Sequence, residues 1–563
     1  MATMPRSTQR RHARGDGATG AGGGCGAWSG SGVAKVSTLA RIGGRSGAGP
    51  SELARPSAIA SLNAHCNPLG LRTRAFVVRL ASCKLSRRMR TVGLTALVVA
   101  LGVAVAAARQ RVDYAFTVVA PRSVSRSQLV ARVVIVAPGA RCPVIVARTA
   151  ERKKALRIRM RRIATPGGSV GFDGITVCRK RLPRGVVRAS VGGNRLPVFR
   201  PGTPKRIAVF GDTGCRIEER EATPDPTEPT EEVQDCNSPT AWPLEMVAGE
   251  IAAAKPQLVI DTGDYFYREA ACPTSGPQAP LCAGSPPPNP PGSPNEDTWA
   301  GWEADWFRPA RALFRAAPLV LSRGNHESCA RAGTGYFFLL EPGVSPPDTC
   351  QRADAATGDP DNPPPSVAQP PWVARFGAID LVVYDSSNAN DTTVENAQTF
   401  EELGRRAVSL LRPRSFARWL LTHRPVYGWG RFAGPDRPPI WTNVTLEAAL
   451  DGLIGPFDAV LSGHVHLFQT VELPDRPAQL ILGDGGTLLD SPDIDGAPPT
   501  FGPTIDGMTL AAPTRGVTTV SFGWMLFRPT PEPGVFSGVR SQPGVGPQAD
   551  CRLARDSIDC TPR

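Results

Sequence analysis

The residues best suited to chemistry stand in five short motifs, each directly after a run rich in aliphatic residues. Each motif supplies a carboxylate, an amide or an imidazole, which are groups that bind metal ions in proteins. The motifs are Gly211-Asp212-Thr213-Gly214, Gly263-Asp264-Tyr265-Phe266-Tyr267, Gly324-Asn325-His326-Glu327, Thr422-His423 and Gly463-His464-Val465-His466. The chain has only six histidines, and four of them lie in these motifs. This concentration of ligand types indicates a metal centre.

A framework of alternating strands and helices is predicted to hold these motifs. Beyond Pro201, short buried strands alternate with amphipathic helices, which is typical of an α/β layered domain. Strands are predicted at 206–210, 258–261, 318–321, 379–384, 418–422, 458–461 and 479–482, and helices at 242–254, 302–316 and 400–412. Loops at the carboxyl ends of such strands converge on one crevice, so residues far apart in sequence can share a site. Glycine before a ligand lets the chain turn sharply and approach an ion closely.

Each motif taken alone has an ordinary structural explanation. Asp212 could cap a turn, Asn325 could lie in a turn, and His423 could be a core histidine with satisfied hydrogen bonds. Five such motifs in order at successive strand ends favour one shared site over five unrelated residues.

In this order the motifs resemble those of the calcineurin-like metallophosphoesterases, and more closely the purple acid phosphatase branch. The resemblance covers roughly residues 205–490. The general superfamily pattern begins with Asp-x-His, whereas this sequence has Gly214 in the third position. The purple branch shares that glycine and takes the missing ligand from a tyrosine, which Tyr267 matches; the segment 480–486 is also similar to that branch. The resemblance implies a four-layer αββα sandwich.

The resemblance further implies two metal ions that share one carboxylate. The ligands would be Asp212, Asp264, Tyr267 and His466 for the first ion, and Asp264, Asn325, His423 and His464 for the second. Oxygen ligands combined with imidazoles suit Fe, Mn or Zn better than an ion that prefers thiolates. A phenolate favours Fe(III) at the first site, and the family implies Zn, Mn or Fe(II) at the second.

The implied reaction is the hydrolysis of phosphate esters by a hydroxide that two metal ions activate. Asp264, as the bridging ligand, and His326, as proton donor to the leaving group, are the predicted catalytic residues. Plant-type relatives carry further histidines between the third and fourth motifs, and this sequence has none from 327 to 422, so proton donation and substrate contacts are expected to differ. The predicted substrate-binding residues are Arg268, Arg323 and Arg424, although an exposed ion-pairing arginine is an equally ordinary explanation for each.

An acid phosphatase-like monoesterase is the favoured function. A phosphodiesterase or nucleotidase could use the same metals with different pocket walls. A non-catalytic secreted binding protein is a third alternative, and the complete set of predicted ligands disfavours it.

The amino-terminal part of the chain has the composition of a leader and an export signal. Residues 1–88 hold 14 basic and two acidic residues without a sustained apolar period, so they are predicted to be disordered, and translation is predicted to start at Met89. Residues 89–108 combine a basic flank, an apolar stretch and a small-residue cleavage site, as in a signal peptide that contacts the membrane transiently. A short membrane anchor is the alternative. The protein is therefore predicted to be secreted or periplasmic, or else anchored and facing outside.

Ten cysteines follow the leader, and their clustering predicts pairing between neighbours. The predicted disulfides are 142–178, 215–236, 272–282, 329–350 and 551–560. Such bridges are expected in an oxidising compartment.

The distribution of charge divides the rest of the chain. A length of 563 residues allows two or three domains, and 58 Gly with 57 Pro exclude a mostly helical chain. The predicted parts are a basic β-sandwich domain at 109–200, a catalytic domain at 201–530 and a tail with a Cys pair at 531–563.

Residues 109–200 hold 21 basic and three acidic residues. This region could bind an anionic partner or dock on the acidic catalytic domain; docking is slightly favoured, and the lack of interleaved aromatic residues disfavours a specific nucleic-acid reader.

Overall fold

The computed structural model describes most of the chain from residue 111 onward. The described residues are 111–123, 126–152, 154–166, 170–199, 202–219, 231–288, 297–352, 368–413, 415–430, 440–441, 443–490, 504–505, 508–509 and 514–563. The predicted leader (1–88) and signal segment (89–108) lie outside the described residues. Among the helices in the described ranges, none combines the length and apolar character needed to cross a membrane.

The strands are numbered in chain order. Those nearest the amino terminus are β1 (Tyr114–Ser123), β2 (Arg126–Ile135), β3 (Val144–Thr149), β4 (Leu156–Arg159), β5 (Arg161–Arg162), β6 (Thr176–Arg181), β7 (Val186–Val191) and β8 (Asn194–Leu196). The middle of the chain contributes β9 (Ile207–Phe210), β10 (Ile217–Glu219), β11 (Glu231–Val233), β12 (Leu258–Asp261), β13 (Leu319–Leu321), β14 (Trp372–Phe376), β15 (Ile379–Val383), β16 (Ala417–Leu421), β17 (Trp429–Gly430) and β18 (Ile440–Trp441). The strands that follow are β19 (Ala459–Ser462), β20 (Phe468–Glu472), β21 (Ala478–Leu482), β22 (Thr504–Ile505), β23 (Met508–Thr509), β24 (Arg515–Thr519), β25 (Trp524–Pro529), β26 (Phe536–Gln542), β27 (Gly546–Ala554) and β28 (Ser557–Pro562).

Helical segments are fewer and mostly short. The α-helices are α1 (Leu244–Ala253), α2 (Trp299–Trp302), α3 (Leu313–Ala316), α4 (Gly333–Gly335), α5 (Thr349–Arg352), α6 (Ala397–Ser409) and α7 (Val444–Leu450). Two 3-10 turns span Val170–Phe172 and Pro309–Ala312, and two π-helical turns span Glu303–Phe307 and Tyr336–Leu340. The single helix predicted over 302–316 is thus a succession of α, π and 3-10 turns. Pro309 stands at the start of one of them, where it supplies no N–H to a continuous ladder.

Two large sheets organise the fold. One has eleven strands in the order β28-β27-β26-β25-β9-β12-β13-β1-β2-β6-β5, and the other has seven in the order β14-β15-β16-β19-β21-β20-β24. The centres of both sheets are parallel: β9, β12 and β13 in the first, and β15, β16, β19 and β21 in the second. Every residue of β9, β12 and β13 is buried, as expected for strands covered on both faces.

The hydrophobic core lies in layers between and outside these sheets. Val209 and Ile260 of the eleven-stranded sheet share one apolar cluster with Leu421 and Leu461 of the seven-stranded sheet. A second cluster joins α1 and α3 to the outer face of the first sheet, and a third joins α6 and α7 to the outer face of the second. The predicted four-layer αββα sandwich is confirmed.

The amino-terminal region is all-β, as predicted, and it shares a sheet with the strands that precede the ligand motifs. Strand β1 pairs in parallel with β13, with Val118 opposite Leu319, and β2, β6 and β5 continue that sheet. The other strands of this region form a four-stranded sheet in the order β4-β3-β7-β8. Residues of both sheets contribute to the cluster between the layers. The predicted domain boundaries stay a prediction.

The carboxyl-terminal strands extend the same sheet from its opposite side. Strand β25 pairs antiparallel with β9, and β26, β27 and β28 follow as hairpins. The segment predicted as a tail therefore contributes ordered strands. All five predicted disulfides are present, joining Cys142 to Cys178, Cys215 to Cys236, Cys272 to Cys282, Cys329 to Cys350 and Cys551 to Cys560.

Candidate metal centre

Five strands deliver the five motifs to one place. Strands β9, β12 and β13 of the eleven-stranded sheet end directly before the first three motifs, and β16 and β19 of the seven-stranded sheet end before the last two. Because neighbouring strands are parallel, their carboxyl ends lie at the same edge of each sheet. The two sheets face each other across the core, so the five loops meet between the layers.

The backbone leaves these strands in sharp turns. Asp212, Asp264 and His464 have φ values of 56°, 57° and 74°, which lie in the left-handed region that non-glycine residues rarely adopt. Backbone strain of this kind costs about 1–3 kcal/mol per residue and is concentrated at functional sites. Gly263 has φ 115°, and a Cβ there would lie 2.8 Å from His423 Nδ1. The loops therefore approach one another too closely for any other residue at 263.

One group of ligand atoms gathers around Asp212. Oxygen atoms of Asp212 and Asp264 and a ring nitrogen of His466 all lie within 4.8 Å of one another, and the three residues are buried. The Tyr267 hydroxyl lies 2.9 Å from Asp264 Oδ2, 2.9 Å from His466 Nε2 and 3.4 Å from Asp212 Oδ1. The phenol thus stands among the other three predicted ligands of the first metal ion.

A second group shares Asp264 with the first. Ligand atoms of Asp264, His423 and His464 also lie within 4.8 Å of one another. His423 Nε2 lies 3.1 Å from Asp264 Oδ2 and 2.9 Å from Asn325 Oδ1. All seven predicted ligands therefore come together, and Asp264 belongs to both groups.

The residues present fit a pair of cations. Asp212 Oδ2 is buried and makes no hydrogen bond to the described residues, so this carboxyl oxygen is left for a partner from outside the chain. A Cβ on Gly324 would lie 1.8 Å from Asp264 Oδ1, and one on Gly463 would lie 2.0 Å from Asp212 Oδ2. Glycine in these places leaves room for backbone and carboxylate to pack closely. Carboxylate, amide, phenol and imidazole donors suit iron, manganese or zinc.

The protonation states of the buried groups favour cation binding. Burial opposes ionisation of Asp264, but the imidazoles of His423 and His326 together hold the pKa of Asp264 well below its usual value. Asp212 is the exception, because burial and the Asp264 charge raise its pKa well above the usual value, so this carboxyl would release a proton when a cation binds. Burial lowers the pKa of His464 to about 4, although Asp391 opposes that shift, and lowers the pKa of His466 well below its usual value. Neutral imidazoles offer lone pairs to a metal ion.

Hydrogen bonds fix the orientation of the three imidazoles. His423 Nδ1 lies 3.0 Å from the Thr262 carbonyl oxygen, and His466 Nδ1 lies 2.9 Å from that of Leu488. Each carbonyl accepts the ring N–H, which directs Nε2 toward the carboxylates. His464 is held differently, because its Nε2 lies 2.9 Å from Asp391 Oδ2 and 3.0 Å from a terminal nitrogen of Arg424.

Glu327 organises the loops around the centre, a role that sequence analysis missed. Its carboxylate is fully buried and accepts the backbone N–H groups of Asp264, Tyr265, Phe266 and Gly324 at 2.8–3.2 Å. One side chain thereby ties the second motif to the third. Its place directly after His326 in the third motif was the available signal.

Asp391 and Glu269 are two further contacts that sequence analysis missed. Asp391 lies between β15 and α6, and it contacts both His464 and Arg424. Glu269 follows the second motif by two residues, and its Oε1 lies 2.7 Å from His326 Nδ1. Arg331 in turn forms an ion pair with Glu269. No local pattern marks Asp391, whereas the nearness of Glu269 to Tyr267 in sequence was a usable signal.

His326 stands beside both ligand groups. Its ring centre lies 3.9 Å from that of Tyr267, and its Nε2 lies 3.9 Å from Asp264 Oδ2. Burial and the charge of Arg331 lower the pKa of His326 well below its usual value. The imidazole is therefore clamped between Glu269 and the shared carboxylate.

The three predicted substrate-binding arginines are buried, and each is paired. Arg424 contacts Asp391 and His464, which puts it directly at the centre. Arg268 pairs with Asp305 and stacks over Trp242, and Arg323 pairs with Asp385 at 3.0 Å. Substrate binding by these residues stays a prediction.

Comparison with known proteins agrees with the motifs. Residues 205–468 match the family model of the calcineurin-like phosphoesterases, a span that includes all seven predicted ligands, and the predicted resemblance is confirmed. No curated protein matches the sequence. The solved structures similar to this chain include a purple acid phosphatase from yellow lupin seeds, with 11% identity, coverage of 78% of this chain and 74% of that chain, and a TM-score of 0.46. PhoD has 13% identity, coverage of 79% and 91%, and a TM-score of 0.45. GAP50, the anchor in the inner membrane complex of Plasmodium, has 12% identity, coverage of 63% and 90%, and a TM-score of 0.34.

Proposed function

We propose that this chain, whose residues 205–468 match the calcineurin-like phosphoesterases, hydrolyses phosphate monoesters at a dinuclear metal centre. The observation that carries the proposal is the pair of buried ligand groups that share Asp264. Tyr267 and Asn325 lie within hydrogen-bonding distance of one group each, which brings both groups to four donors. A centre of this composition has no evident structural purpose, because burying several carboxylates and imidazoles costs stability unless a cation compensates.

Asp212, Asp264, Tyr267 and His466 would hold Fe(III), and Asp264, Asn325, His423 and His464 would hold Zn, Mn or Fe(II). Two bound cations would neutralise phosphoryl oxygens and lower the pKa of a water molecule toward neutrality. The phenol of Tyr267 supports the iron assignment, since a hard anionic oxygen prefers a trivalent ion.

The chain itself would position the substrate and move a proton. His326 is the one histidine of residues 109–563 outside the proposed ligand set, and its Nε2 lies on the side of Asp264. In its cationic form, in which Nε2 also carries a proton and which burial opposes and Asp264 favours, it would protonate the leaving oxygen. Glu269 accepts a hydrogen bond from Nδ1 of His326 and would keep that ring in position. Arg424 would place positive charge beside the phosphate, with Asp391 fixing its orientation. Arg268 and Arg323, which are committed to buried ion pairs, would shape the walls of the site.

Turnover of a monoester and a diester by the purified, metal-loaded protein tests the proposal. We expect p-nitrophenyl phosphate to be hydrolysed faster than bis(p-nitrophenyl) phosphate, with two transition-metal ions per chain by elemental analysis. Preference for the diester would assign the same centre to a phosphodiesterase. Two bound metals without turnover of either ester would contradict an enzymatic function.

A visible absorption band tests the iron assignment separately. The oxidised, iron-loaded protein should show a tyrosinate-to-iron charge-transfer band, and Tyr267→Phe should lose it. Tyr265→Phe is the matched control, because the Tyr265 hydroxyl donates to the Ser322 carbonyl oxygen and contacts no ligand group. A band that survives Tyr267→Phe would remove this tyrosine from the ligand set.

Export from the cytoplasm is part of the proposal. The five disulfides are consistent with an oxidising compartment, where such bridges form and persist. Cell fractionation should find the protein in the periplasm or the medium, and a reduced cytoplasmic protein would contradict this assignment.

A further inference from the structure

A cavity lies between the amino-terminal strands and the segment 342–346, and none of its lining residues belongs to the five motifs. It has a volume of about 630 Å³, and its walls are Val130, Arg161, Arg179, Lys180, Arg181 and the segment 342–346. A neighbouring cavity of about 680 Å³ shares Lys180 and Arg181 with it and adds Arg184. We call the two together the basic groove. Each of the two cavities has the volume of a pocket for one small ligand, which is about 300–1,000 Å³.

The basic groove contains positive charge without an internal counterion. Five cations line it, namely Arg161, Arg179, Lys180, Arg181 and Arg184, and no acidic residue does. The carboxylate nearest to it in sequence, that of Glu341, is buried, forms an ion pair with Arg132 and accepts backbone N–H groups of residues 343–345. Within the described ranges, no carboxylate forms an ion pair with any of the five cations.

The strand register places three arginines in one row. Arg179 of β6 lies directly opposite Arg132 of β2 on one side and Arg161 of β5 on the other. Like charges directly opposite each other on paired strands repel and destabilise a sheet. Glu341 pairs with Arg132. Burial lowers the pKa of Arg132 to about 10, Glu341 opposes that shift, and the charge of Arg179 adds to it. The other two arginines of the row are left to water or to an external anion.

We propose that the basic groove is a binding site for a linear polyanion whose charged groups are phosphates. A chain of phosphates can follow two adjoining concave cavities, whereas a flat bilayer surface contacts only their rims. No aromatic residue lines either cavity, so a ligand that depends on base stacking is not matched. Four of the five cations are arginines, whose planar guanidinium groups bind phosphate oxygens in pairs. This site does not depend on the proposed hydrolytic function.

Binding of inorganic polyphosphate to the full chain tests the proposal. Fluorescence titration at several salt concentrations should show saturable binding that weakens as salt rises. In the double variant Arg179→Gln/Arg181→Gln, affinity should fall about tenfold or more, and the slope of log affinity against log salt should fall by about two. The melting temperature of this variant should be unchanged or higher, because the substitution removes repulsion between facing arginines.

A second double variant separates the groove from the general charge of the region. Arg148 and Arg188 are exposed, face each other across β3 and β7, and line neither cavity. Arg148→Gln/Arg188→Gln removes the same charge and should weaken polyphosphate binding by less than about threefold. Equal losses in the two double variants would overturn the proposal in favour of diffuse attraction.

Two competing ligands complete the test. Single-stranded RNA should not share the polyphosphate site, so added polyphosphate should displace little or no bound RNA. Polyphosphate should also bind whether or not anionic phosphatidylglycerol vesicles are present. Binding to the vesicles with no affinity for polyphosphate would overturn the proposal and assign the region to a membrane surface. A wild-type protein that binds neither polymer would overturn it as well.

Discussion

The metal centre and the basic groove hold charged groups in opposite ways. At the centre, Asp264 lies between two imidazoles, and Glu327 accepts four backbone N–H groups, so nearly every charge has a partner within the chain. In the groove, Arg161, Arg181 and Arg184 are exposed and face no carboxylate of the described residues. The centre is thus complete except for cations, whereas the groove supplies one half of an ionic interaction.

Burial explains this difference. An ionised group removed from water costs several kcal/mol unless other groups compensate it, so the centre needs a closely matched set of partners. Exposed arginines stay hydrated and cost little, so the chain can leave them unpaired. Substitutions should therefore have large effects at the centre and small ones in the groove, and the following predictions test that ranking from the largest effect to the smallest.

Removing the shared carboxylate should have the largest effect. Asp264→Asn should lower kcat by more than about 10⁴-fold, above the range that general acid catalysis supplies, and should lower the content of both metals. Elemental analysis and turnover of p-nitrophenyl phosphate measure the two effects. Asp458→Asn is the control, because Asp458 pairs with Arg418 at the amino ends of β16 and β19, and the motifs follow the carboxyl ends of these strands. A variant that kept both metals would show that Asp264 does not bridge them.

Removing the proposed proton donor should have the second largest effect. His326→Ala should lower kcat by about 10²–10⁴-fold while both metals stay bound, because the role proposed for this imidazole is proton transfer alone. A loss greater than that of Asp264→Asn, or loss of a metal, would mean that the roles of the two residues are misassigned.

Loosening that imidazole should have a smaller effect. Glu269→Gln should lower kcat by about tenfold to 100-fold with little change in KM, since outer contacts of a site typically contribute that much. Glu218→Gln is the matched control, because Glu218 also pairs with Arg331 but does not contact His326. If both variants lost the same activity, the ion-pair network as a whole would be responsible, and no orienting role would remain for Glu269.

Removing one charge from the groove should have the smallest effect of the four. Unlike the other substitutions, which lower activity, it should make the fold slightly more stable. Arg161→Gln should raise the free energy of unfolding by about 0.2–1 kcal/mol, because it relieves repulsion with the facing Arg179. Denaturant unfolding at low salt measures the change, which should shrink at high salt. Destabilisation by this substitution would show that the row of arginines has an internal counterion.

The predicted ligands were easier to find from the sequence than the residues and strands that surround them. The seven predicted ligands lie in motifs that follow buried strands, so a local pattern singled them out, and the structure brings them together. The disulfides join neighbouring cysteines in sequence. Asp391 has no such pattern, because it lies in the loop between β15 and α6 and contacts His464 only in the folded chain. The pairing of β1 with β13 was equally hidden, since a strand pattern reveals that a strand forms but not which partner it finds across 200 residues of chain.

That pairing sets a limit on how the molecule can be divided. Strand β13 leads directly into the loop of Asn325, and β1 covers its free side. A truncated chain beginning at residue 201 would leave β13 as an open edge with unpaired amides and carbonyls beside apolar side chains. Such an exposed edge promotes aggregation. The amino-terminal strands therefore protect the edge of β13 next to the loop of Asn325, and a chain without them should be insoluble when it is expressed.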